Sequence, residues 1–492
     1  MKFFRCSLSK AALKIVIAAS AVSAPAAAFA QSCDATIDDQ IAHQTDRVER
    51  GIVAFVDVNV LPMDVERVLD RQTVIVTDGI ITAMGAVDAI LVPDTAYVVH
   101  GNGRYLLPGL SDMHGHIPAF RGEGDADKIW QVAANLLLMY AASGVTLVRD
   151  PNGSDIHAEY NRKLASGEFV GPRLYYTSPI LEGSEAVSGS SLRLTDPGEV
   201  DGLISQYKTD GYWGVKVYHT LSREVYDAVI AAGRKYDIPV IGHVPFEVGI
   251  DAALQSGQYS IEHLRGYDFD GIAAVDLKAD GGRSARRFGS WLTMTDRRMD
   301  ELVYKTLESG AWNTPTLAIN RFLFDADSRA AQASEPRFTR AHPALREKVV
   351  KANSIDKYFS IASREALRNA MPRMMEMIRR LNASGAGLLV GTDAAISAYV
   401  PGFTSIDEVQ SFAAAGISNF DALKAATTNG AVSLGLEKQL GSVAVGKEAD
   451  LVIIEGNPLD DLAALWQLYG VMLRGQWYTA AELEARLDQM AQ

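Results

Sequence analysis

The sequence predicts an α/β protein, with a (β/α)8 barrel and a small β-sandwich domain that is built from both ends of the chain. Over residues 105–435, short apolar runs alternate with amphipathic helical stretches, as in parallel strands that are joined by helices. Residues 50–104 and 436–480 alternate apolar and polar residues between short turns, one of them at Asp78-Gly79, which indicates short strands. The 492 residues, of which 48% are hydrophobic, are enough for a large core. A doubly wound open sheet is the alternative for the central segment.

Residues 1–30 have the pattern of a signal peptide. A basic start is followed by a short apolar run over 15–22 and by an Ala-Phe-Ala site that ends at Ala30. This apolar run is too short to span a bilayer. We therefore expect cleavage near Ala30 and an exported mature protein, periplasmic or secreted, that begins near Gln31. A lipid anchor on Cys33 is a weaker alternative, because the residues before it match a lipobox poorly.

The overall composition disfavours several classes of protein. A net charge of -13 disfavours binding to nucleic acid, because an acidic surface repels phosphate groups. Two cysteines are too few for a disulfide framework. After the signal pattern, no segment has the roughly 18 uninterrupted apolar residues that a membrane span needs. We expect a small-molecule substrate, no nucleic-acid partner and no membrane span, and the composition is compatible with a homo-oligomer.

Eight apolar runs in the central segment are the candidate barrel strands. They are Tyr105–Ser111, Val145–Arg149, Arg173–Thr177, Gly214–Tyr218, Pro239–His243, Tyr259–His263, Trp312–Leu317 and Gly387–Thr392. The longest insertion, roughly 320–384, has a charged and helical pattern. Active sites of such barrels are built at the carboxyl ends of the strands, so the residues that end these runs are the candidates for chemistry.

The first candidate group is the pair His114 and His116, which follows the first predicted strand. Side chains two residues apart on an extended segment point to one face, so both imidazoles can reach one ion. Gly115 between them leaves room for a close approach. The alternative is a pair of polar histidines in a loop between a strand and a helix.

Lys216 lies inside an apolar strand pattern, where a charged amine is costly unless it is paired or modified. A buried lysine loses its proton readily, and the neutral amine can react with carbon dioxide to form a carbamate. The oxygen atoms of a carbamate can bridge two metal ions. The alternative is a lysine whose amine reaches solvent from the end of the strand.

Three more candidates end later strands. His243 and His263 close successive predicted strands, and Asp393 follows the last one. The alternatives are satisfied core histidines and a helix N-cap. Together with the earlier pair and the lysine, they form one set of nitrogen and oxygen ligands for two divalent metal ions, with zinc the expected metal. Glu262 points away from His263 by strand alternation and is interpreted as a supporting residue.

These motifs resemble the amidohydrolase superfamily of metal-dependent hydrolases, in particular its imidazolonepropionase-like and dipeptidase-like branch. The resemblance runs from about residue 50 to 478. It includes the Leu-Pro-Gly-Leu-Ser-Asp-Met-His-Gly-His motif, the lysine strand, and the Gly-His-Val, Ile-Glu-His-Leu and Gly-Thr-Asp-Ala motifs. The resemblance implies that His114, His116 and Asp393 bind the more buried ion. It also implies that His243 and His263 bind the second ion, and that Lys216, as a carbamate, bridges the two ions.

The resemblance also implies a hydrolase that cleaves a C–N amide bond in a dipeptide, an N-acyl amino acid or a cyclic amide, through a hydroxide that bridges the two metals. Asp393 is then the catalytic residue that takes the proton of the nucleophile and returns it to the leaving nitrogen. Such a substrate carries a carboxylate, which needs a cation or hydrogen-bond donors near the metals. The candidate substrate-binding residues lie at or just beyond strand ends: Tyr218, His219, Arg149 and Arg265.

Two alternative functions are compatible with the sequence. The same metal site could hydrolyse a lactone, an ester or an organophosphate. A noncatalytic exported binding protein is the second alternative, although a binding role does not need residues that generate a nucleophile. A serine or cysteine hydrolase is poorly supported, because no Gly-x-Ser-x-Gly motif occurs and the single cysteine left after cleavage lies outside the predicted barrel.

Overall fold

The computed structural model describes residues 51–118, 126–184, 191–273, 276, 283–324, 336–351, 360–394 and 400–491. The predicted signal peptide at 1–30 and Cys33 lie outside the described residues. Within the described ranges, no helix combines the length and the apolar character that a membrane crossing requires.

The regular elements alternate between strands and helices over most of the chain. The strands are, in chain order, β1 (Ile52–Val60), β2 (Leu69–Thr77), β3 (Ile80–Ala86), β4 (Tyr97–His100), β5 (Tyr105–Pro108), β6 (Leu110–Asp112), β7 (Val145–Asp150), β8 (Arg173–Tyr176), β9 (Leu181–Glu182), β10 (Leu192–Arg193), β11 (Val215–Val217), β12 (Val240–Gly242), β13 (Ser260–Glu262), β14 (Trp312–Thr314), β15 (Leu451–Ile454), β16 (Leu468–Leu473) and β17 (Gln476–Thr479). The helices are α1 (Ala126–Ala142), α2 (Ile156–Ala165), α3 (Val200–Thr209), α4 (Arg223–Tyr236), α5 (Gly249–Ser256), α6 (Arg283–Thr293), α7 (Asp296–Ser309), α8 (Leu317–Phe324), α9 (Pro343–Lys351), α10 (Ile361–Ser384), α11 (Phe403–Ala414), α12 (Asn419–Ala425), α13 (Thr428–Ser433) and α14 (Ala480–Met490).

A mixed sheet is built from both ends of the chain. Its strand order is β17-β16-β15-β5-β1-β2-β3, and β4 pairs in parallel with β1. The turn between β2 and β3 is the predicted Asp78-Gly79 turn, in which both residues are left-handed with φ of 51° and 83°. Apolar residues from both ends of the chain, such as Phe55, Val74 and Ile453, form the fully buried core of this sheet.

Parallel strands make up the central segment. Strands β6-β7-β8 form one sheet, and β10-β9-β11-β12-β13-β14 form a second. Single backbone bridges connect neighbouring segments at three further places, between Thr177 and Gly214, Asn313 and Leu388, and Gly115 and Ala394. Because neighbouring strands run in parallel, their carboxyl ends meet at one edge, where polar residues can collect.

The predicted strand Tyr105–Ser111 is in fact two strands. Strand β5 pairs antiparallel with β15 of the mixed sheet, whereas β6 pairs in parallel with β7. Gly109 separates them, and a Cβ atom at this position would lie 2.2 Å from the side chain of Thr146. Only a glycine therefore allows the chain to cross so closely from one sheet to the other.

The last two predicted strands also differ from the structure. The run Trp312–Leu317 is a strand only as far as Thr314, because α8 begins at Leu317. The run Gly387–Thr392 forms no regular strand, since its N–H groups take different partners. Leu389 donates to Asn313 over 2.9 Å, whereas the next residue donates to a carbonyl at the end of α12 over 3.1 Å. The other five predicted strands overlap the observed ones.

The described part of the insertion at roughly 320–384 is helical, as predicted. Its longest element, α10, begins after Ser360, whose hydroxyl accepts the N–H of Ser363 over 3.2 Å. It ends at Gly385, which has a left-handed backbone with φ of 85°. Buried residues of α10, including Leu367 and Met374, give the helix one apolar face.

Buried ion pairs join the mixed sheet to the central segment. Arg173 of β8 donates to Asp450 over 2.5 Å and to Glu448 over 2.5 Å. The other oxygen of the Asp450 carboxylate accepts the N–H of Arg474 over 2.6 Å. The guanidinium of Arg474 in turn donates to the carbonyl of Gly171 over 3.0 Å. These contacts fix the mixed sheet relative to the β6-β7-β8 sheet of the central segment.

Candidate metal centre

The segment that carries the histidine pair is fixed by Asp112, the last residue of β6. Its buried carboxylate accepts the N–H of His114 over 3.0 Å and the hydroxyl of Thr392 over 2.6 Å. Ser405 of α11 donates a further hydrogen bond over 3.1 Å. Asp112 therefore ties the histidine pair to the segment that ends in Asp393.

His114, His116 and Asp393 form one cluster. Nε2 of His116 lies 3.0 Å from Oδ1 of Asp393, and Nε2 of His114 lies 3.6 Å from the same oxygen. The N–H of Asp393 donates to the carbonyl of His114 over 2.7 Å, so the two segments are also joined through their backbones. One ligand atom from each residue lies within 4.8 Å of the other two, a spacing that one metal ion can span.

The remaining predicted ligands lie beside this cluster. Nε2 of His263 is 3.9 Å from Oδ2 of Asp393. The ring centroid of His263 is 4.4 Å from that of His114 and 5.0 Å from that of His243. Lys216, which is 2% exposed, lies on β11 next to the strand that ends before His243. Besides burial, the charge of Lys216 lowers the pKa of His114, His243 and His263, so its amine lies near all three. The structure thus brings the six residues together.

Burial sets the protonation of these groups. It lowers the pKa of His114, His243 and His263 well below the usual value, so the three imidazoles are neutral at neutral pH. Burial also lowers the pKa of Lys216 to about 8, against the opposing charge of Glu262. Neutral imidazole is the form that binds a metal ion.

His116 is held on its far side by a buried carboxylate. Its Nδ1 lies 3.4 Å from Oδ1 of Asp150, whose Oδ2 is 2.9 Å from Nε2 of His157. Burial alone would lower the pKa of His116, but the hydrogen bonds to Asp150 and Asp393 raise it to about 9. Without a metal ion, His116 is therefore protonated at neutral pH, and an ion bound at its Nε2 would displace that proton. The carboxylate of Asp150 behind the ring fixes its orientation.

His114 is oriented by Glu262 in the interior. Its Nδ1 lies 2.5 Å from one oxygen of Glu262, and Nη2 of Arg149 donates to the other oxygen over 2.8 Å. Arg149 also donates from Nε to the carbonyl of Met113 over 2.8 Å. A proton on Nδ1 leaves Nε2 of His114 with a free lone pair that faces Asp393.

His243 presents one nitrogen without a partner. Its Nδ1 lies 3.0 Å from Nε2 of His219, whereas its own Nε2 is buried and has no hydrogen bond to any described residue. The ring of Tyr218 stacks on the imidazole, with centroids 4.0 Å apart. A buried polar atom without a partner is uncommon in proteins. Here it is available as a metal ligand.

Four residues at this site have a left-handed backbone conformation. His263, Leu264, Thr316 and Asp393 have φ angles of 57°, 53°, 51° and 57°. Residues other than glycine adopt this conformation rarely, at a cost of roughly 1–3 kcal/mol each. The hydroxyl of Thr316 lies 2.7 Å from Nδ1 of His263, so two of these strained residues contact each other beside the cluster.

The predicted substrate-binding residues fall into two groups. In the first group, the rings of Tyr218 and His219 both contact the ring of His243. Arg265 belongs to the same group, because its side chain is 17% exposed, with Nη1 2.6 Å from Asp268. Arg149 has no exposed surface, and its guanidinium is used by the interior carboxylate and a backbone carbonyl. This position does not suit the substrate role predicted for Arg149, and it makes Arg149 a support for His114.

Several polar residues that hold the candidate ligands were not predicted from the sequence. Asp112 stands two residues before His114, and Asp150 ends an apolar run, so each carried the signal that a charged residue at a strand end provides. Thr316 and Ser405 carried no signal, because a hydroxyl becomes informative only when the folded chain shows its partner.

The fold and the cluster together define a class of protein. Parallel strands that end in histidines, a lysine and an aspartate are the arrangement of a metal-dependent hydrolase. The model of the amidohydrolase family matches residues 105–478, and the chain belongs to this family. The family resemblance that the motifs predicted is thus confirmed.

Solved structures share the fold. A Xaa-Pro dipeptidase with bound methionine in the active site has a TM-score of 0.65 and 21% sequence identity, and the match covers 87% of this chain and 100% of that chain. Bottromycin amidohydrolase has a TM-score of 0.67 and 23% identity, with 92% and 93% covered. With the family match, they support a TIM-barrel-like α/β fold.

The curated relatives match a shorter part of the chain. The 5-methylthioadenosine/S-adenosylhomocysteine deaminase of Teredinibacter turnerae is 37% identical over 87 residues. These residues are 16% of this chain, and they span only 20% of the length of that relative. Together with the family, this relative supports a hydrolase that acts on C–N bonds.

Proposed function

We propose that this protein is a binuclear metal-dependent amidohydrolase that cleaves the C–N amide bond of a dipeptide, an N-acyl amino acid or a cyclic amide. The proposal rests chiefly on the position of Asp393. Its two carboxylate oxygens face Nε2 atoms of His114, His116 and His263 at distances of 3.6, 3.0 and 3.9 Å. A carboxylate between two groups of histidines can both hold a metal ion and exchange a proton with a water molecule.

The donor set fits two divalent ions, with zinc the expected metal. Neutral imidazole and carboxylate oxygen are ligands that zinc prefers. His114, His116 and Asp393 would hold one ion, and His243 and His263 the other. The unpartnered Nε2 of His243 supports this assignment. When bound, the ions would lower the pKa of a water molecule and polarise the substrate carbonyl.

Lys216 would join the two halves as a carbamate. Its neutral amine attacks carbon dioxide, one C–N bond forms, and one proton is released to solvent. The pKa of about 8, which burial lowers from the usual value, gives a useful fraction of neutral amine near neutral pH. The product has two oxygen atoms, so it can offer one ligand to each ion.

Asp393 would move the proton during hydrolysis. It accepts a proton from the attacking water and delivers it to the leaving nitrogen. One water molecule is thereby added across the C–N bond, which gives a carboxylate and an amine. The left-handed backbone of Asp393 supports this role, because its carboxylate lies beside the Nε2 atoms of His116 and His263.

We assign the substrate carboxylate to Arg265 and Tyr218. Nε of Arg265 is buried without a hydrogen-bond partner among the described residues, while Nη1 is held by Asp268. Tyr218 stacks on His243, and its hydroxyl lies close enough to Arg265 for that charge to oppose the effect of burial on its pKa. The ring of His219, which also contacts His243, would support the imidazole or donate to the substrate.

The proposal includes a closed (β/α)8 barrel, a small β-sandwich domain and export. The three single bridges between neighbouring segments support closure. The mixed sheet, with strands from both ends of the chain, supports the small domain. Export is supported by the signal pattern of residues 1–30. N-terminal sequencing of protein from the native host tests it, and an intact Met1 would contradict it.

Metal analysis combined with a substrate panel tests the activity. We expect two equivalents of zinc per chain and release of free amine from dipeptides or N-acyl amino acids. Removal of the metal should abolish the release, and added zinc should restore it. Amide hydrolysis by a metal-free protein would overturn the proposal. Hydrolysis only of lactones, esters or organophosphates would favour that alternative, and ligand binding without hydrolysis would favour a binding protein.

A further inference from the structure

Helix α11 contacts segments on both sides of the candidate metal centre. Ser405 and Glu408 are three residues apart, so their side chains leave one face of the helix, and both are fully buried. Ser405 donates to Asp112 over 3.1 Å. The two oxygens of Glu408 accept the N–H groups of Leu317 and Ala318 over 2.8 and 2.6 Å. One helix face thus binds two segments that are far apart in sequence.

The Ser405 contact reaches the cluster that contains Asp393. Asp112, which accepts the hydroxyl of Ser405, also accepts the N–H of His114 and the hydroxyl of Thr392. His114 and the neighbour of Thr392 are two of the candidate ligands. A shift of the Asp112 carboxylate would therefore move both at once.

The Glu408 contact reaches His263. Leu317 and Ala318 are the first residues of α8, and their N–H groups would otherwise lack an acceptor within the helix. Thr316 directly precedes them in a left-handed conformation, with its hydroxyl 2.7 Å from Nδ1 of His263. By holding the start of α8, Glu408 keeps this strained residue in place, and with it the ring of His263.

We propose that Ser405 and Glu408 are positioning residues through which one helix keeps the two halves of the metal centre in register. Glu408 acts on the ion held by His243 and His263, and Ser405 acts on the other ion. The inference rests on the proposed function, because it requires two ions. Neither residue touches an ion or the substrate, so each acts only through the residues that it holds.

A cobalt titration of the full-length, metal-free protein tests the inference. The absorption of bound Co²⁺ reports two binding steps, and His263→Ala identifies the step that depends on His263. Glu408→Ala should weaken that step by about 10- to 100-fold, the range found when a supporting partner of a metal ligand is lost. Glu408→Gln keeps one acceptor oxygen and should show a smaller loss.

Two further variants make the test selective. Ser405→Ala should weaken the other binding step. Ser411→Ala removes a hydroxyl from the same helix that donates to the carbonyl of Asp407 over 2.7 Å, and it should leave both steps unchanged. A loss confined to one step in each variant is not expected from a general loss of stability.

The possible failures are distinguishable. A wild-type protein that binds no cobalt would overturn the proposed function and the inference together. The wild type could show both cobalt-binding steps while Glu408→Ala and Ser411→Ala bind cobalt with the same affinities as the wild type. That result would overturn the inference alone. If Glu408→Ala does not fold, unchanged affinities in both Glu408→Gln and Ser405→Ala would overturn it equally.

Discussion

Among single residues, Asp393 has the most demanding position, between two groups of histidines and on a left-handed backbone. Asp393→Asn keeps an oxygen that can bind a metal ion but cannot carry a proton. We expect turnover to fall by about 100- to 10,000-fold, the usual contribution of general acid–base catalysis. The turnover number is measured together with the metal content. Near-normal turnover with both metals bound would assign the proton to another group, and His219 would be tested next.

Lys216 gives a second prediction at this scale. Lys216→Ala should lose both bound metal and activity, because no oxygen would bridge the two halves of the site. A short carboxylic acid added to the variant should restore part of the activity. Lys235→Ala, which removes an exposed lysine paired with Asp201, is the matched control and should behave as the wild type. Full activity of Lys216→Ala without added acid would refute the bridging role.

The candidate ligands were predictable because each follows or ends an apolar run, and parallel strands bring their carboxyl ends together. The supporting residues were harder to predict. Arg149 was expected to face a substrate, but it is the neighbouring Asp150, the last residue of β7, that contacts the histidine pair. Because side chains alternate along a strand, Asp150 then faces the histidine pair and Arg149 turns to Glu262 in the interior.

Among the elements, α8 depends on a buried carboxyl group at its start. Burial raises the pKa of Glu408 to about 8, although the N–H groups of Ala318 and Leu317 act against this shift. In the unfolded chain a glutamate titrates at about 4.3. Between these values the folded protein binds a proton that the unfolded chain has released. The stabilisation of the folded protein by protonated Glu408 is therefore fully present below the pKa of the unfolded chain. It is lost as the pH rises through about 8.

Urea denaturation of the metal-free protein checks this pH dependence. The free energy of unfolding of the wild type should fall between about pH 5 and about pH 9 by more than that of Glu408→Gln, because glutamine does not titrate. Asp296, an exposed residue paired with Arg373, provides the control variant Asp296→Asn, which should keep the wild-type dependence over this range. Equal slopes for the wild type and Glu408→Gln would show that Glu408 does not bind the proton.

The order of strands and helices was largely predictable, whereas the exceptions depend on contacts between distant segments. The periodicity of Tyr105–Ser111 is that of one strand, and only the approach of Thr146 to Gly109 explains why it is divided between two sheets. The run Gly387–Thr392 is apolar enough for a strand, but its N–H groups bond to partners in two different elements. The sequence pattern of a segment does not identify the distant residues to which it will bond.

For the whole molecule, the contacts of Arg173 are expected to govern stability. Arg173→Ala leaves the carboxylates of Asp450 and Glu448 without their buried cation. Breaking a buried ion pair from one side commonly costs about 3–5 kcal/mol, so the urea midpoint should drop markedly. Arg71→Ala removes an exposed ion pair with Asp57 and should leave the midpoint unchanged. Similar midpoints for the two variants would contradict the joining role of Arg173.

The cluster of His116 and Asp393 joins positions that are 277 residues apart in the chain. On the ribosome, the group of His114, His116 and Asp393 is incomplete until synthesis has passed Asp393. A fragment that ends between His116 and Asp393 carries the histidine pair without the carboxylate that completes it. An ion that needs all three of these ligands would therefore be taken up only after translation has passed Asp393. If the protein is exported before it folds, as the signal pattern of residues 1–30 predicts, the bound ion would be set by the metals present in the compartment where the chain folds, and not by those present where it is made.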